Sequence, residues 1–560
     1  MNTNMSRRSF VAGSAAVSAG IAATAVTGAF ADEAAVSYPE YTGEAEFEAS
    51  AAELEPITDF IDEQTFDIVV VGAGTAGLPA VLTALEEGVT VGCLQKEATP
   101  LSQGNGSSGI IVSESTDSGI KRWMQSIRKT CNFRVNWDLF EFFAYHSGET
   151  LCWLDKVADK AGYVGVSHST AISVTYDNGD ICAWVSHAFG TKPESNNNLV
   201  AALAPLAEQK GAKFFYETPG VQLIQDETGR VVGVIGKSEA GYIKFNANIA
   251  VILATGDYQN NKPLMARFSP AIKDFAPKQY GKTGDGHLMA MMAGGRMVPV
   301  GHAHQVHDAD AAGNGFSNIP LLALNANGKR FMNEEVSMPF WNLGCQRNTD
   351  QEDPGVFVRI FDANYQEYFP NAPAPEKLQV YIPGAVEDPK GVFPTLIDTH
   401  CCDTLDELAE ALRVPADALK ESVARYNEIV ASGVDSDYGV DPANLHPIDT
   451  PPFWGIRQWV RISAINGGIK VDKNYQVVDS NNEPIPGLFA VGTTGGDLCG
   501  NADWSMGSGV SCGHCFTSGR YATIFAITGG YEPAAPVAWE EVSDLYVDGM
   551  HDTGWAWQRK

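Results

Sequence analysis

Basic charge is scarce in this chain: 38 Lys and Arg stand against 68 Asp and Glu, a formal net charge of −30 over 560 residues. An acidic surface repels a phosphate backbone, so nucleic acid is excluded as a natural partner. Beyond the N-terminus no apolar run approaches bilayer length. No Cys-x-x-Cys-His is present, so the chain carries no c-type haem of its own. The ten cysteines are not spaced as a small disulfide scaffold, and a chain this long needs none. Internal repeats are also missing. What remains is 44% apolar and 19% charged, enough to bury a substantial core. The length exceeds one ordinary core, so two or more domains are expected.

The first residues read as an address rather than as fold. Ser6-Arg7-Arg8-Ser9-Phe10-Val11 opens a weakly apolar, Ala- and Gly-rich stretch that ends in Ala29-Phe30-Ala31. Twin arginines followed by a small-x-small cleavage site predict a twin-arginine export signal over residues 1–31. Its Ala, Gly and Ser content makes it a poor bilayer span, and no lipobox cysteine follows it. Export by this route implies folding before transport, which is usual where a cofactor is inserted first. The expected location is the periplasm or the extracytoplasmic cell surface. Residues 32–64 are acidic and poor in structure signals, and are read as a linker.

The strongest local signal follows. Thr65-Phe66-Asp67-Ile68-Val69-Val70-Val71 is the short, β-branched run of a buried parallel strand. Gly72-Ala73-Gly74-Thr75-Ala76-Gly77 comes next. Its first glycine permits a tight turn, its second lets backbone approach a pyrophosphate, and its third lets a helix pack on the strand. Leu78 to Glu87 reads as that helix, with its free N–H groups toward the phosphates. Val89 to Leu94 returns as the second strand. An acidic residue should follow, to accept from ribose hydroxyls. Gln95 stands there instead, ahead of Lys96 and Glu97; its carbonyl can accept a hydrogen bond without charge.

Further along, Ala212 to Thr218, Gly220 to Ile224 and Val231 to Ile235 read as strands, and Ile249 to Leu253 as another buried one ending in Ala254-Thr255-Gly256. Pro484 to Gly492 is a strand running into a glycine turn, and Gly507 to Ile527 forms a helix whose N-terminus faces it. Residues 305–464 are richer in Pro and charged helices, with a helical pair over Thr404 to Ser432 restarted at Pro415. The predicted organisation is a nucleotide domain in two parts, 65–304 and 465–530, interrupted by an inserted domain over 305–464, with a tail over 531–560.

These blocks carry a family resemblance. Val71 to Gly77, Ala254-Thr255-Gly256, Thr283-Gly284-Asp285-Gly286-His287, Asn327 to Glu334 and Gly487 to Gly492 occur in the order found in the FAD-dependent fumarate reductase and flavocytochrome c flavoprotein family, which the chain resembles over residues 65–530. The resemblance implies an α/β fold: a Rossmann-type FAD-binding domain with an inserted α+β clamp, or capping, domain. It implies FAD at Gly72, Ala73, Gly74, Ala76, Gly77, Gln95, Lys96, Gly256, Asp285, Gly492, Ser508, Gly509 and Val510. Residues Ser102 to Ile111 hold no histidine for covalent attachment, so the FAD is expected to be noncovalent. The family reduces an activated carbon–carbon double bond by hydride transfer from flavin N5, with a protein acid protonating the neighbouring carbon. With no haem domain here, electrons are expected from a separate membrane cytochrome or a quinol-linked donor.

The departures from the family decide the substrate. Fumarate reductases clamp a dicarboxylate with two histidines and two arginines, and a further arginine donates the proton. His307 is the counterpart of one histidine. The arginine expected soon after Asn333-Glu334 falls near Met338, the second histidine is replaced within Ala464-Ile465-Asn466, and the last arginine is missing from Asp497 to Trp504. Two carboxylates without bidentate partners would each cost several kcal/mol to desolvate. A largely neutral, larger unsaturated substrate is expected instead, an enone or unsaturated lactone of the kind handled by the family's cardiac glycoside reductases. Fumarate, urocanate or cinnamate reduction, ketosteroid dehydrogenation and noncatalytic flavin electron transfer are the alternatives. His307 and Tyr258 are the candidate proton donors, while Arg330 reads as structural. His302 and His304 share one face of an extended segment, as metal ligands or ordinary hydrogen-bonding residues do.

Cys512-Gly513-His514-Cys515 opens the last helix, with Cys499 a short loop upstream. An i, i+3 pair shares a helix face. Two readings stand: buried packing residues, or thiolate ligands to a 4Fe-4S iron–sulfur cluster. Cys345, Cys401 or Cys402 would have to supply a fourth ligand.

Overall fold

The computed structural model describes residues 56–548 apart from 103, 105, 164–169, 189–195, 299–301, 307, 310–318, 338–339, 376–398, 501–505 and 508. The signal segment, most of the linker and the end of the tail therefore lie outside the described residues, as do His307 and Ser508.

Strand β1 (Asp62–Val71) is the centre of an eight-stranded sheet. Its second half is apolar and wholly buried, as a strand covered on both faces must be. It pairs in parallel with β2 (Val91–Leu94) on one side, Val71 opposite Leu94, and on the other with a long strand over Gly241–Leu253, Val71 opposite Leu253. Helix α1 (Gly77–Glu86) is the crossover from β1 to β2. The glycines between them are steric necessities. Gly72 has φ +108°, and a Cβ there would meet the Ala254 carbonyl oxygen at 2.4 Å. A Cβ on Gly77 would lie 1.8 Å from the Gly72 oxygen, so only glycine lets the helix start this close to the strand. The sheet continues through Pro484–Ala490 and Gln476–Val478 at one edge and the short Lys213–Phe215 at the other. A hairpin of Gly220–Gln225 and Val231–Ser238 attaches to the front of the Gly241–Leu253 strand.

Two further layers complete the nucleotide-binding half. Strand β3 (Gly106–Ile110) edges a four-stranded sheet. Helices α2 (Asp117–Thr130) and α3 (Trp137–Lys160) pack beside it.

The chain leaves this half through β4 (Ala303–Gln305) and returns through β5 (Ala464–Asn466), which pair antiparallel with Ala303 opposite Asn466. Between them, strands Leu322–Asn325, Val356–Phe361, Thr399–Cys402 and Phe453–Arg461, with Asp308–Ala309, make a five-stranded antiparallel sheet. Helices Leu405–Leu412 and Ala416–Ser432 bury Leu408, Leu412, Leu419 and Val423 against Leu322, Leu324, Val358 and Ile360. The first of these helices has a full capping box, Thr404 and Glu407 each serving the other's backbone N–H. Arg330 is structural here: it holds Glu334 and Asp435 at 2.7 and 2.8 Å and lies over the rings of Tyr426 and Tyr438. The fold is thus α/β, a Rossmann-type FAD-binding domain carrying an inserted α+β capping domain. The last long helix, α4 (Val510–Thr528), then packs back against α1, α3 and β3.

Candidate functional site

The site begins at the turn from β1 to α1. Helix α1 has no side-chain cap at Ala76 and no acid in its first turn, so its leading N–H groups are left for a ligand. Gly492 closes over this turn: a Cβ there would touch the Ala76 methyl at 2.9 Å, and its N–H donates to Ser518 Oγ at 3.0 Å. Gln95 is tied inward. Its Oε1 accepts from the Ala73 N–H at 3.1 Å, while its Nε2 donates to the Thr99 carbonyl at 2.8 Å. The nearby carboxylate comes from elsewhere in the sequence: Asp285 meets Lys96 Nζ at 3.1 Å, and Thr283 Oγ1 accepts from the same ammonium at 2.7 Å.

Behind Gly256 lies a hub that sequence reading missed. Asp257 is fully buried, accepts from Lys282 Nζ at 3.0 Å, from the Ile465 N–H at 3.2 Å and from the Gln259 N–H at 3.0 Å. One carboxylate thereby fastens the Ala254–Asp257 turn to β5, where the chain re-enters. Nothing in the sequence around Asp257 distinguishes it from a solvated aspartate.

The far end of the site is the start of α4. Gly509, at φ +76°, is its N-cap; no side chain caps it and no acid sits in its first turn. Its carbonyl accepts from the Ser108 N–H on β3 at 2.9 Å. Two buried polar atoms near this end have no hydrogen-bond partner among the described residues, Ser107 Oγ and Asn466 Nδ2. An uncapped α1 turn at one end and unfilled donors around α4 at the other fit a dinucleotide with a carbonyl-bearing ring, as FAD is. The residues that would hold it are the Gly72–Gly77 turn, Asp285 beside Lys96, Gly492, and Gly509 with Val510. Beside α4 lies a cavity walled by Trp123, Phe143, Trp184, Met506 and Val510, with Ser108 as a polar member.

Tyr258 is sealed. Its hydroxyl lies 2.6 Å from His302 Nδ1 and 2.9 Å from Ser269 Oγ, with no exposed surface. Burial lifts its pKa well above the ordinary value and pushes His302 down to about 4. The pair is therefore neutral and internal. His302 also stacks on Phe268, and His304 opposes Ile465 across the β4–β5 pair.

Of the three cysteines weighed as packing residues or cluster ligands, Cys499 faces Cys131. Cys499 Sγ lies 3.7 Å from Cys131 Sγ, because Gly500 turns the chain onto the Cys131–Val135 segment; a Cβ at Gly500 would strike the Arg134 oxygen. Cys512 and Cys515 pack instead against Gly104 and Gly492. Burial raises both thiols, Cys512 to about 11. Cys345 is buried, and Cys401 and Cys402 lie on the outer strand of the inserted sheet. Among the described residues no group of three or more His, Cys, Asp or Glu is arranged to hold a metal ion.

Comparison with known proteins agrees with the cofactor these features fit. The FAD binding domain family matches residues 67–510, more than half of the chain. The chain belongs to this family. It is an FAD-dependent oxidoreductase. It is 28% identical to the vinyl phenol reductase of Lactiplantibacillus plantarum, covering 81% of this chain and 95% of that protein. With the fumarate reductase (cytochrome) of Shewanella frigidimarina it shares 26% identity over 78% of this chain and 73% of that one. The open conformation of a flavocytochrome c3 fumarate reductase superposes with a TM-score of 0.64 at 23% identity, over 83% of this chain and 78% of that one. That last likeness concerns the fold.

Proposed function

We propose that this chain is an exported, FAD-dependent ene-reductase that saturates an activated carbon–carbon double bond in a largely neutral, bulky substrate, an enone or an unsaturated lactone such as a cardiac glycoside. The observation that carries this reading is the loss of charge where a diacid would be gripped. Glu335 to Gln346, Ile462 to Ile469 and Asp497 to Gly513 contain no Lys, Arg or His. Ala464, Ile465 and Asn466 are all buried in the returning strand β5. These three segments offer a second carboxylate no guanidinium or imidazolium of their own to pair with.

When bound, FAD supplies hydride-transfer chemistry; the chain supplies position, exclusion of water and a proton. His307 is the proton donor of this reading, since Tyr258 is engaged with His302 and Ser269. A second reading, a small vinyl-substituted phenol, is favoured by the relative that this chain matches over 95% of its length. Electrons reach the flavin in this reading from a separate membrane cytochrome or quinol-linked donor, since the sequence has no Cys-x-x-Cys-His haem site. The reading needs no iron–sulfur cluster. Export over residues 1–31 is tested by fractionating cells that express the chain with Arg7 and Arg8 changed to Lys.

The deciding experiment reduces the protein anaerobically with limiting dithionite and follows flavin reoxidation by fumarate, urocanate, cinnamates, vinyl phenols, steroids and cardenolides. Fast reoxidation by a neutral substrate is expected, and His307→Ala slows it while flavin stays bound. Fumarate as the fastest oxidant refutes the reading.

A further inference from the structure

Asn466 stands out among the polar groups of the site. It is 6% exposed, and its Nδ2 has no acceptor among the described residues. Its Oδ1 is held by Ser511 Oγ at 3.1 Å, and Ser511 belongs to the first turn of α4. Its neighbours on the β4–β5 pair are small: Ala303 lies opposite, and Ala464 is two residues back on the same face. Both are buried. A buried amide N–H left unmade costs about 1–3 kcal/mol. That cost is removed when a bound group supplies the acceptor.

The setting says what kind of acceptor. The start of α4 is uncapped and carries the positive end of a helix of 19 residues. Ser107 Oγ on β3 is a second unfilled polar atom there. All three features suit a group with carbonyl oxygens that gains negative charge. In FAD this is the pyrimidine edge of the isoalloxazine, which bears the ring carbonyls and takes up charge on reduction.

We infer that Asn466 Nδ2 donates a hydrogen bond to a carbonyl on the pyrimidine edge of the bound flavin and raises its reduction potential, so that this residue helps set which alkenes the enzyme can reduce. Asn466 acts as a donor to the cofactor, with Ser511 as the residue that positions it. The inference rests on FAD binding alone. Its failure would leave the substrate reading untouched, because the measurement uses no alkene.

The test is an anaerobic redox titration of the holoenzyme against a reference dye, for the native protein, Asn466→Leu, Asn466→Asp and Ser511→Ala. Loss of the donor in Asn466→Leu should lower the equilibrium constant for two-electron flavin reduction about tenfold, which is about 30 mV. Asn466→Asp keeps the size but replaces the donor by an acceptor, and should lower it further. Ser511→Ala leaves the amide but frees it, and should give a smaller fall. Potentials unchanged in Asn466→Asp and Ser511→Ala overturn the inference, whether or not Asn466→Leu retains flavin. So does an unchanged potential with a raised KM for alkene, which would give the amide to the substrate.

Discussion

Removing the guanidinium of Arg520 should loosen α4 (Val510–Thr528). Arg520 is fully buried near the middle of α4. It donates to both oxygens of Glu149 on α3 at 2.9 and 3.1 Å, to Glu86 at the end of α1 at 3.2 Å, and to the Ala535 carbonyl at 3.1 Å. Its guanidinium also lies 4.3 Å from the Trp153 ring centroid. Arg520→Met keeps most of the volume and leaves two carboxylates, only 14% and 20% exposed, without their shared cation. Breaking a buried pair in this way costs about 3–5 kcal/mol. Each 1.4 kcal/mol is tenfold, so the equilibrium for opening α4 should rise by roughly 10²–10³-fold. Hydrogen exchange of the α4 amides reads this directly and does not require the whole chain to unfold in one step. Arg520→Lys should recover part of the loss, having charge but no fork to hold Glu149 at both oxygens. Adding Glu86→Gln and Glu149→Gln to Arg520→Met should recover more, because the stranded charges are then gone. Exchange no faster than in the native protein, or raised by less than tenfold, would mean that the network is screened and the burial argument wrong.

Two other outcomes follow from the same geometry. Gly77→Ala places a methyl 1.8 Å from the Gly72 oxygen, so α1 must move off β1; the purified variant should be colourless while its far-ultraviolet circular dichroism remains near native. Five histidines, His146, His287, His302, His304 and His514, are pushed down to about 4 by burial. The folded pKa lies below the unfolded one, so the unfolded chain binds more protons between pH 6.5 and 4. Their contribution is therefore present above pH 6.5 and lost as the pH falls toward 4, at about 1.4 kcal/mol per pH unit for each residue. Urea midpoints at pH 7.5, 6, 5 and 4.5 should fall steeply and together; a flat profile would show that these rings already reach water.

What could be read from the sequence was what is settled by neighbours in the chain. The strand, glycine turn and helix from β1 to α1 are one such case, since the steric demand at Gly72 and Gly77 is met by residues within a few positions and by one strand that any parallel sheet must supply. The helix pair restarted at Pro415 is another, as its Thr404 and Glu407 cap is complete within four residues. The fasteners were not visible. Asp257 binds Ile465, 208 positions away, and Arg520 binds Glu149 and Glu86 at separations of 371 and 434. An aspartate or an arginine alone carries no mark of such a partner.

Cysteine shows how sequence proximity misleads. Cys499 is 13 positions from Cys512, a spacing that left packing and shared ligation both open. The φ of +64° at Gly500 and the contact at Arg134 send the loop toward α2, and Cys499 meets a residue 368 positions away. Local turn chemistry, rather than the spacing of like residues, thus determined which side chains met. The same logic separates the two ends of α4. Its C-terminal half is fixed by Arg520 to α1 and α3, while its N-terminus is left uncapped beside an amide N–H that no described residue accepts. A helix rigid at one end and unfilled at the other holds its donors in place before a ligand arrives, which is how an environment favours a charge that appears only when the ligand is reduced.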